Sequence, residues 1–322
     1  MRWGILATGK IADSFASDLA LVPDATLTAV GSRSPASAQA FADRHGAPHA
    51  YGSYDELARD PDVDVIYVAT PHGRHLEDVM LCFEHGKAVL CEKALTLNAR
   101  QARQLVAEAR RRGLFFAEAM WMRSNPRIRR LLGLVRDGAC GDVRQVRADL
   151  GFVLPAEVSL RLTDPTLGAS ALLDVGVYPL TFAYCVLGEP DDIVASGTLS
   201  ERGIDLNGGA TLRYANGAIA SISWTQVAWS DSTASVAGPD GRIEVASRMH
   251  MPPTFAHIRG WESHTYADPV IGRGYAHEIV EVGECLRAGR TESEILPLDD
   301  TVAILALMDR MREQMGVHYT VD

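Results

Sequence analysis

Residues near the start of the chain have the types and spacing to grip a pyrophosphate. Ala7-Thr8-Gly9-Lys10-Ile11-Ala12 follows an apolar run, and its core, Ala7-x-Gly9-x-x-Ala12, is a G-x-G-x-x-A fingerprint with alanine in place of the first glycine. In that pattern the first small residue makes the turn, the second lets backbone approach the phosphates, and the third lets helix pack on strand. Gly9 and Ala12 keep the last two tasks, while the β-carbon of Ala7 restricts the first without forbidding it. A glycine-containing strand-to-helix turn alone would look similar. The position ahead of an amphipathic helix favours a dinucleotide site, with Ala7, Thr8, Gly9, Lys10 and Ile11 around the phosphates.

About twenty residues on, the next strand ends in Gly31-Ser32-Arg33-Ser34, where a site selective for NAD would carry an acid for the ribose 2′-hydroxyl. Here Ser32, Arg33 and Ser34 offer hydroxyls and a guanidinium to a 2′-phosphate, so NADP(H) is expected over NAD(H). Arg33 as a solvated loop residue is the plainer alternative. Ala69-Thr70-Pro71-His72-Gly73-Arg74-His75 follows a third strand at its carboxyl end, where open α/β sheets bind ligands. This loop is expected to line the cofactor near its ribose or nicotinamide through Ala69, Thr70, Pro71, His72 and His75. H-x-x-H with no third ligand at a suitable spacing gives no expectation of a metal.

Further along, Cys91-Glu92-Lys93-Ala94 ends a fourth strand, and with Glu118-Ala-Met-Trp-Met-Arg123-Ser-Asn-Pro126, Leu172-Leu-Asp174-Val-Gly-Val-Tyr178, Glu284-Cys-Leu-Arg-Ala-Gly and Leu296-Pro-Leu it forms a recognisable set. On these residues the sequence resembles the Gfo/Idh/MocA oxidoreductase family over nearly its whole length. The likeness is to the branch that holds dimeric dihydrodiol dehydrogenase and NADP-dependent D-xylose dehydrogenase. The family hallmark Glu-Lys-Pro is here Glu92-Lys93-Ala94, which removes the proline that would fix the loop. The resemblance implies a Rossmann domain followed by an α+β domain. It also implies Glu92 and Lys93 beside the cofactor, and Trp121 and Arg123 at the mouth between domains, near nicotinamide, cofactor or substrate oxygens. Core packing for Trp121 and a surface charge for Arg123 are the alternatives.

The chemistry asks for the same residues. Hydride transfer to a carbonyl leaves an alkoxide that needs a proton from a donor within hydrogen-bond reach. Tyr178 can donate, with an unperturbed pKa of about 10, and an ammonium such as Lys93 nearby would stabilise the phenolate. Asp174 and Tyr178 are spaced i,i+4 and so share a helix face, with Asp174 placed to orient substrate. Their other reading is an ordinary amphipathic residue and a cap or surface acid. Pro179 removes a helical N–H and suggests a kink at Tyr178. Phe152 is a further candidate for the substrate wall, as are Trp224, Trp229 and Tyr275, any of which could be core.

These groups need a scaffold. The pattern predicts strands over 3–7, 26–31, 63–69, 88–91 and 114–117, alternating with helices over 11–21, 37–45, 76–85 and 99–112, which is the doubly wound order of a Rossmann-type parallel sheet. A helix over 126–137, a long strand over 141–153 and a helix over 169–187 follow. From 193 to 265, β-rich runs are broken by Asn207-Gly208, Asn216-Gly217 and Asp240-Gly241, which read as hairpin turns of a mainly antiparallel sheet. Helices over 275–288 and 300–316 close the chain. The expected division is a dinucleotide-binding domain over 1–118 and a substrate-binding and oligomerisation α+β domain over 119–322.

Composition sets the outer limits. The 322 residues suit two domains, and 47% hydrophobic with 22% charged residues is an ordinary globular balance. Basic residues number 31 against 41 acidic, a formal charge of −10, which argues against nucleic acid as partner. No signal peptide or membrane-spanning apolar run is expected. Five cysteines without a C-x-x-C read as reduced core thiols of a cytoplasmic protein. A sheet face left free by its helices would pair with another subunit, giving a homodimer or homotetramer. The sum is an NADP(H)-dependent oxidoreductase acting at a carbinol or carbonyl carbon of a small sugar, polyol, dicarbonyl or dihydrodiol. The alternatives are a sugar–sugar oxidoreductase with tightly held NADP and a non-catalytic NADP-binding regulator.

Overall fold

Val65-Ile-Tyr-Val68 has no polar face to turn to water, and runs of that kind form the inner strands of a parallel sheet covered by helices on both sides. In the computed structural model, which describes residues 1–153 and 162–319, these four residues are β4 of a six-stranded sheet. Its strands are β1 (Arg2–Leu6), β2 (Thr26–Gly31), β3 (His49–Tyr51), β4, β5 (Ala88–Glu92) and β6 (Phe116–Ala119), in the order β3-β2-β1-β4-β5-β6. Every pairing is parallel.

Local chemistry sets the helix ends. Helix α1 (Lys10–Leu19) starts after Gly9, and α2 (Pro35–His45) starts where the Ser34 side chain accepts the Ser37 N–H at 3.3 Å. Asn98 accepts the Gln101 N–H at 3.0 Å to open α5 (Ala99–Arg112), and Gly113 closes it at φ 65°. Between α2 and α5 lie α3 (Tyr54–Arg59) and α4 (His75–Glu84). Strand β3 and helix α3 were not expected from the sequence, because three half-buried strand residues and six helical ones are too few to display a period.

By contacts the chain divides into two units, Met1–Ser124 with Val270–Val302, and Asn125–Pro269 with Ala303–Asp322. The boundary expected after residue 118 therefore moves to 124, and the segment 270–302, expected in the second domain, packs with the first. Its helix α9 (Ala276–Arg287) buries Ile279 and Val282, and the Phe116 N–H donates to the Thr291 carbonyl at 3.1 Å.

The second unit is built on an eight-stranded sheet in the order β14-β13-β12-β11-β7-β10-β9-β8. The strands are β7 (Gln145–Gly151), β8 (Asp192–Leu199), β9 (Asp205–Arg213), β10 (Ile219–Thr225), β11 (Ala234–Gly238), β12 (Gly241–Val245), β13 (Phe255–Arg259) and β14 (Glu262–Tyr266). Only the β7–β10 pair is parallel. Helix α8 (Val177–Leu187) packs over the face to which β10 turns Ala220, Ile222 and Trp224. The turns at Asn216-Gly217 and Asp240-Gly241 lie where expected, although Gly241 already begins β12.

Asn207-Gly208 does not turn: both residues lie inside β9, and the chain reverses at Ser200–Gly203. Gly208 is there for packing, since a β-carbon on it would lie 2.5 Å from Cζ2 of Trp224. The helix expected over 169–187 is also interrupted. Pro165–Leu167 is a 3-10 turn, Leu172–Gly176 a π-turn, and only then does α8 begin. By length and composition alone Pro165–Leu187 could cross a bilayer, contrary to the expectation of no such run, but 72% of its apolar window is buried inside the protein.

Candidate active site

The order of the first sheet makes β1 and β4 neighbours, with the chain leaving β1 for β2 on one side and β4 for β5 on the other. That reversal leaves a crevice at the carboxyl ends of β1 and β4, which is where doubly wound sheets hold ligands. The loops Ala7–Gly9 and Ala69–Pro71 emerge there.

Ala7 takes the tight turn at φ +83°, in the left-handed region that glycine occupies more cheaply, and its N–H reaches the Gly31 carbonyl at 2.9 Å. Gly9 has φ −76° and ψ −179°, torsions open to any residue, and a β-carbon on it would meet nothing within 4 Å. Neither backbone nor packing calls for glycine at that position. What its bareness leaves is an open approach to the amino end of α1, whose first N–H groups are unsatisfied within the helix. That opening fits the pyrophosphate of a dinucleotide. At the end of β2 the Ser32 hydroxyl accepts the Ser34 N–H at 3.3 Å, Ser34 caps α2, and Arg33 stays exposed with its guanidinium against the Tyr54 phenol.

His72 and His75 have a defined task. Nε2 of His72 lies 3.1 Å from the Lys93 carbonyl, and the buried His75 places Nδ1 at 3.2 and 3.0 Å from the Ala94 and Leu95 carbonyls and Nε2 at 2.8 Å from that of Thr70. Burial pushes the His75 pKa down, and the three carbonyls oppose that shift. The two histidines thus tie the segment after β5 to the loop after β4. The same segment is gripped from below. Glu92 accepts the Tyr67 hydroxyl and, at 3.2 Å, the Lys93 N–H, and Glu118 accepts the Leu95 N–H and the Thr301 hydroxyl, each at 2.9 Å. Burial raises the Glu118 pKa, and those two bonds oppose it. The Lys93–Ala94 peptide is cis.

Trp121, in α6 (Trp121–Ser124), is 5% exposed, and its ring centre lies 4.9 Å from that of Tyr275. A β-carbon on Gly274 would come within 3.1 Å of the indole, which explains that glycine. Arg123 is held at 2.7 Å by Asp300 and so is not a bare surface charge. Asp18 of α1 fixes the approach to α9: its carboxylate accepts the N–H groups of Arg273, Tyr275 and Ala276 at 2.9 to 3.3 Å.

Asp174 and Tyr178 belong to the second unit. Asp174 lies in the π-turn, and Val177 returns its N–H to Leu172, five residues back. Wide turns of this kind recur at functional sites because they redirect side chains. Pro179 lies in the first turn of α8, three residues past the π-turn, so the backbone does leave regular α-helical geometry just ahead of Tyr178. The buried Asp205 accepts the Leu172 N–H at 2.6 Å and so anchors the start of the turn. Gly176 leaves the room that Trp224 fills, since a β-carbon there would lie 2.9 Å from the indole. Tyr178 is 6% exposed, with the His250 ring centre 5.2 Å away, and Gln226 reaches Asp174 at 3.5 Å.

Phe152 lies half-exposed just after β7, Trp224 is core, and Trp229 is exposed. A cavity of about 490 Å³ in this unit is lined by Ser196, Thr198, Asn207, Gly209, Ser223 and Thr225 among others, and includes neither Asp174 nor Tyr178.

The structure therefore gathers the expected residues into two groups. The first unit holds the loops carrying Ala7 to Ile11, Ser32 to Ser34, Ala69 to His75 and Glu92-Lys93, together with Trp121 and Arg123. The second holds Phe152, Asp174 and Tyr178. Asp18, Tyr67, Glu118, Asp205, Gln226, His250 and Glu278 went unassigned at the sequence level. The visible signal for Asp18 was an acid on the apolar stripe of α1, beside Phe15 and Leu19.

Comparison with known proteins agrees with this architecture. Residues 1–119 match the model of an oxidoreductase family with an NAD-binding Rossmann fold, and residues 128–244 match the GFO/IDH/MocA C-terminal domain. The chain is 36% identical to a trans-1,2-dihydrobenzene-1,2-diol dehydrogenase from Bos taurus, covering 100% of this chain and 99% of that protein. The corresponding Xenopus laevis enzyme is 38% identical, with 99% of each chain covered. Among solved structures, a 3-ketoreductase from Actinomadura kijaniata in complex with TDP-benzene and NADP has a TM-score of 0.88 and 26% identity, with 98% of each chain covered. Matched across both domains, this chain belongs to the Gfo/Idh/MocA family of oxidoreductases with an NAD-binding Rossmann fold.

Proposed function

We propose that the protein is an NADP(H)-dependent oxidoreductase that moves hydride to or from the carbinol or carbonyl carbon of a small sugar, polyol or dihydrodiol. The observation that carries this reading is Gly9, a glycine that the chain itself does not need, at the mouth of the crevice. The exposed Arg33 and the lack of an acid at the end of β2 favour the 2′-phosphate. The names of the relatives, dihydrodiol dehydrogenase and ketoreductase, support the substrate class.

Bound NADP(H) supplies or accepts the hydride. The chain supplies the rest. The amino end of α1 and the loop over Gly9 receive the phosphates, and the segment gripped by His72, His75, Glu92 and Glu118 sets the backbone of Lys93. Tyr178 is the proton donor to the alkoxide, Asp174 orients the substrate, and Lys93 is the cation that assists proton return.

Titration of NADPH fluorescence, followed by turnover on dihydrodiols, aldoses and dicarbonyls, tests the reading. Gly9→Ala should leave stability within about 0.5 kcal/mol and weaken NADPH binding about tenfold or more, because the new methyl group enters the ligand's space. Lys93→Met and Tyr178→Phe should bind NADPH but lose about 100-fold or more in kcat. Wild-type turnover in both variants would overturn the assigned roles.

We further propose that the protein is cytoplasmic and that the sheet of the second unit receives a second copy of the chain. On the face away from α8, Val194, Thr211, Ser221, Arg147 and Ser235 lie side by side across five strands, and Val194 is 65% exposed. A sheet face on which four of these five side chains are short suits an isologous partner. Light scattering on the wild type and on Val194→Glu would reveal a dimer lost in the variant, and a monomeric wild type would end this proposal.

A further inference from the structure

Helix α9 turns one carboxyl group into the interior of the first unit. Glu278 is fully buried, and neither of its oxygens has a hydrogen-bond partner among the described residues. The groups facing it are the carboxylates of Glu92 and Asp18. The phenols of Tyr67 and Tyr275 complete the cluster, because both feel the charges of Glu92 and Glu278. Its neighbours already have employment: Asp18 receives backbone N–H groups at the start of α9, and Glu92 receives the Tyr67 hydroxyl and the Lys93 N–H. Tyr67 is clamped in turn, with Phe15 stacked on it at 3.6 Å.

An orphan carboxyl in such a place costs stability, since a hydrophobic side chain of similar size would avoid the desolvation. We propose that Glu278 is a positioning residue for the reaction: from α9 it sets the Glu92 carboxylate, and through Glu92 the end of β5 from which Lys93 departs. This rests on the role given to Lys93 above. Burial and the two facing carboxylates push the Glu278 pKa well up and so favour its protonated form, which has one O–H to give. Neither oxygen has a described group within hydrogen-bond reach, so the link to Glu92, the carboxylate that faces it, runs through an enclosed water; polar surroundings with unsatisfied oxygens are where such waters are held. Tyr67 and Glu278 then hold Glu92 from two elements, β4 and α9. Only the latter belongs to the chain segment that returns after the second unit.

Glu278→Gln, Glu278→Met and Tyr67→Phe separate this from a passive core role. Each is assayed by urea midpoint, NADPH fluorescence titration, and kcat and KM on the substrate that the wild type turns over best. Gln keeps the shape and a donor, and should hold kcat within about twofold of wild type. Met fills the space without a donor; kcat should fall about tenfold, with carbonyl KM within about twofold, because the loss lies in alignment and not in binding. Tyr67→Phe should lose kcat similarly, and the double variant with Glu278→Met should lose less than the product of the two, as residues sharing one partner do. If Glu278→Met does not fold, the Tyr67→Phe result decides, and an unchanged kcat there overturns the inference. It is equally overturned if Glu278→Met keeps wild-type kcat, or if Gln loses as much as Met. An inactive wild type that fails to bind NADPH overturns the proposed reaction and this inference together, whereas an active wild type with insensitive variants overturns the inference alone.

Discussion

Replacing Asp18 by alanine tests how the first unit ties its returning segment to the nucleotide-binding helix. Helix α9 has no side-chain cap of its own at Tyr275, and the acceptor for its opening N–H groups comes from α1, more than 250 residues earlier. The Asp18 carboxylate takes three backbone donors, from Arg273, Tyr275 and Ala276, while itself 2% exposed. A hydrogen bond to a charged group contributes about 1.5–3 kcal/mol, so three independent ones would sum to roughly 5–9. They share one carboxylate, and the Ala variant leaves room for water to reach the two partly buried donors, so the expected loss is about 3 kcal/mol. Asp18→Asn keeps one carbonyl oxygen and should lose about half as much. Hydrogen exchange reads the effect locally: the amides of 273, 275 and 276 should exchange about 100-fold faster in Asp18→Ala, at 1.4 kcal/mol per factor of ten. Because the same segment seats Tyr275 against Trp121, a tryptophan emission change should accompany the loss. A urea midpoint equal to wild type, with unaltered exchange at those amides, would refute the claim that Asp18 is the cap of α9.

Three further outcomes follow from the same geometry. Ala7→Gly should stabilise the protein by about 0.5–1 kcal/mol in urea denaturation, because relief of the left-handed torsion exceeds the entropy that glycine adds to the unfolded chain. Gly176→Ala should destabilise it by about 1–3 kcal/mol and reduce turnover, since its methyl group would press on Trp224 and Leu172 two residues before Tyr178. Burial opposes ionisation of Asp149, but its bonds from Thr233, Ser230 and Ser232 prevail and hold the pKa below the ordinary value. Its stabilising contribution is therefore present above the unfolded-state pKa and lost as pH falls through the folded one. Asp149→Asn should accordingly be less stable than wild type at neutral pH, with the gap closing on acidification below about pH 4.

What was legible in the sequence was whatever is written in short range. The alternation of apolar runs with helical stripes specified a doubly wound sheet, while the caps at Ser34, Asn98 and Gly113 came with the structure. The loops that lie at the switch point could be named from the chain, because a strand followed by a glycine turn and a helix is a local pattern. Gly208 misled for a complementary reason. Asn-Gly is a turn by propensity, and only a tryptophan from the next strand, pressing on the space above it, makes that glycine a strand residue. The return of 270–302 to the first unit was likewise invisible, since nothing in the segment says which core its apolar face will meet.

The sequence by itself determined the chemistry on offer: a lysine after β5, an aspartate and a tyrosine four apart, a bare glycine before a helix, and no acid at the end of β2. Tertiary structure alone decided how those groups are held. The π-turn that carries Asp174, the two histidines on the Lys93 segment, the Asp18 cap and the buried Glu278 all depend on atoms brought together from distant parts of the chain. Side-chain identity and spacing are properties of the chain, whereas burial and hydrogen-bond partnership exist only once other elements have closed around a group. The assignment of reactive types can therefore precede folding, but their protonation and alignment cannot.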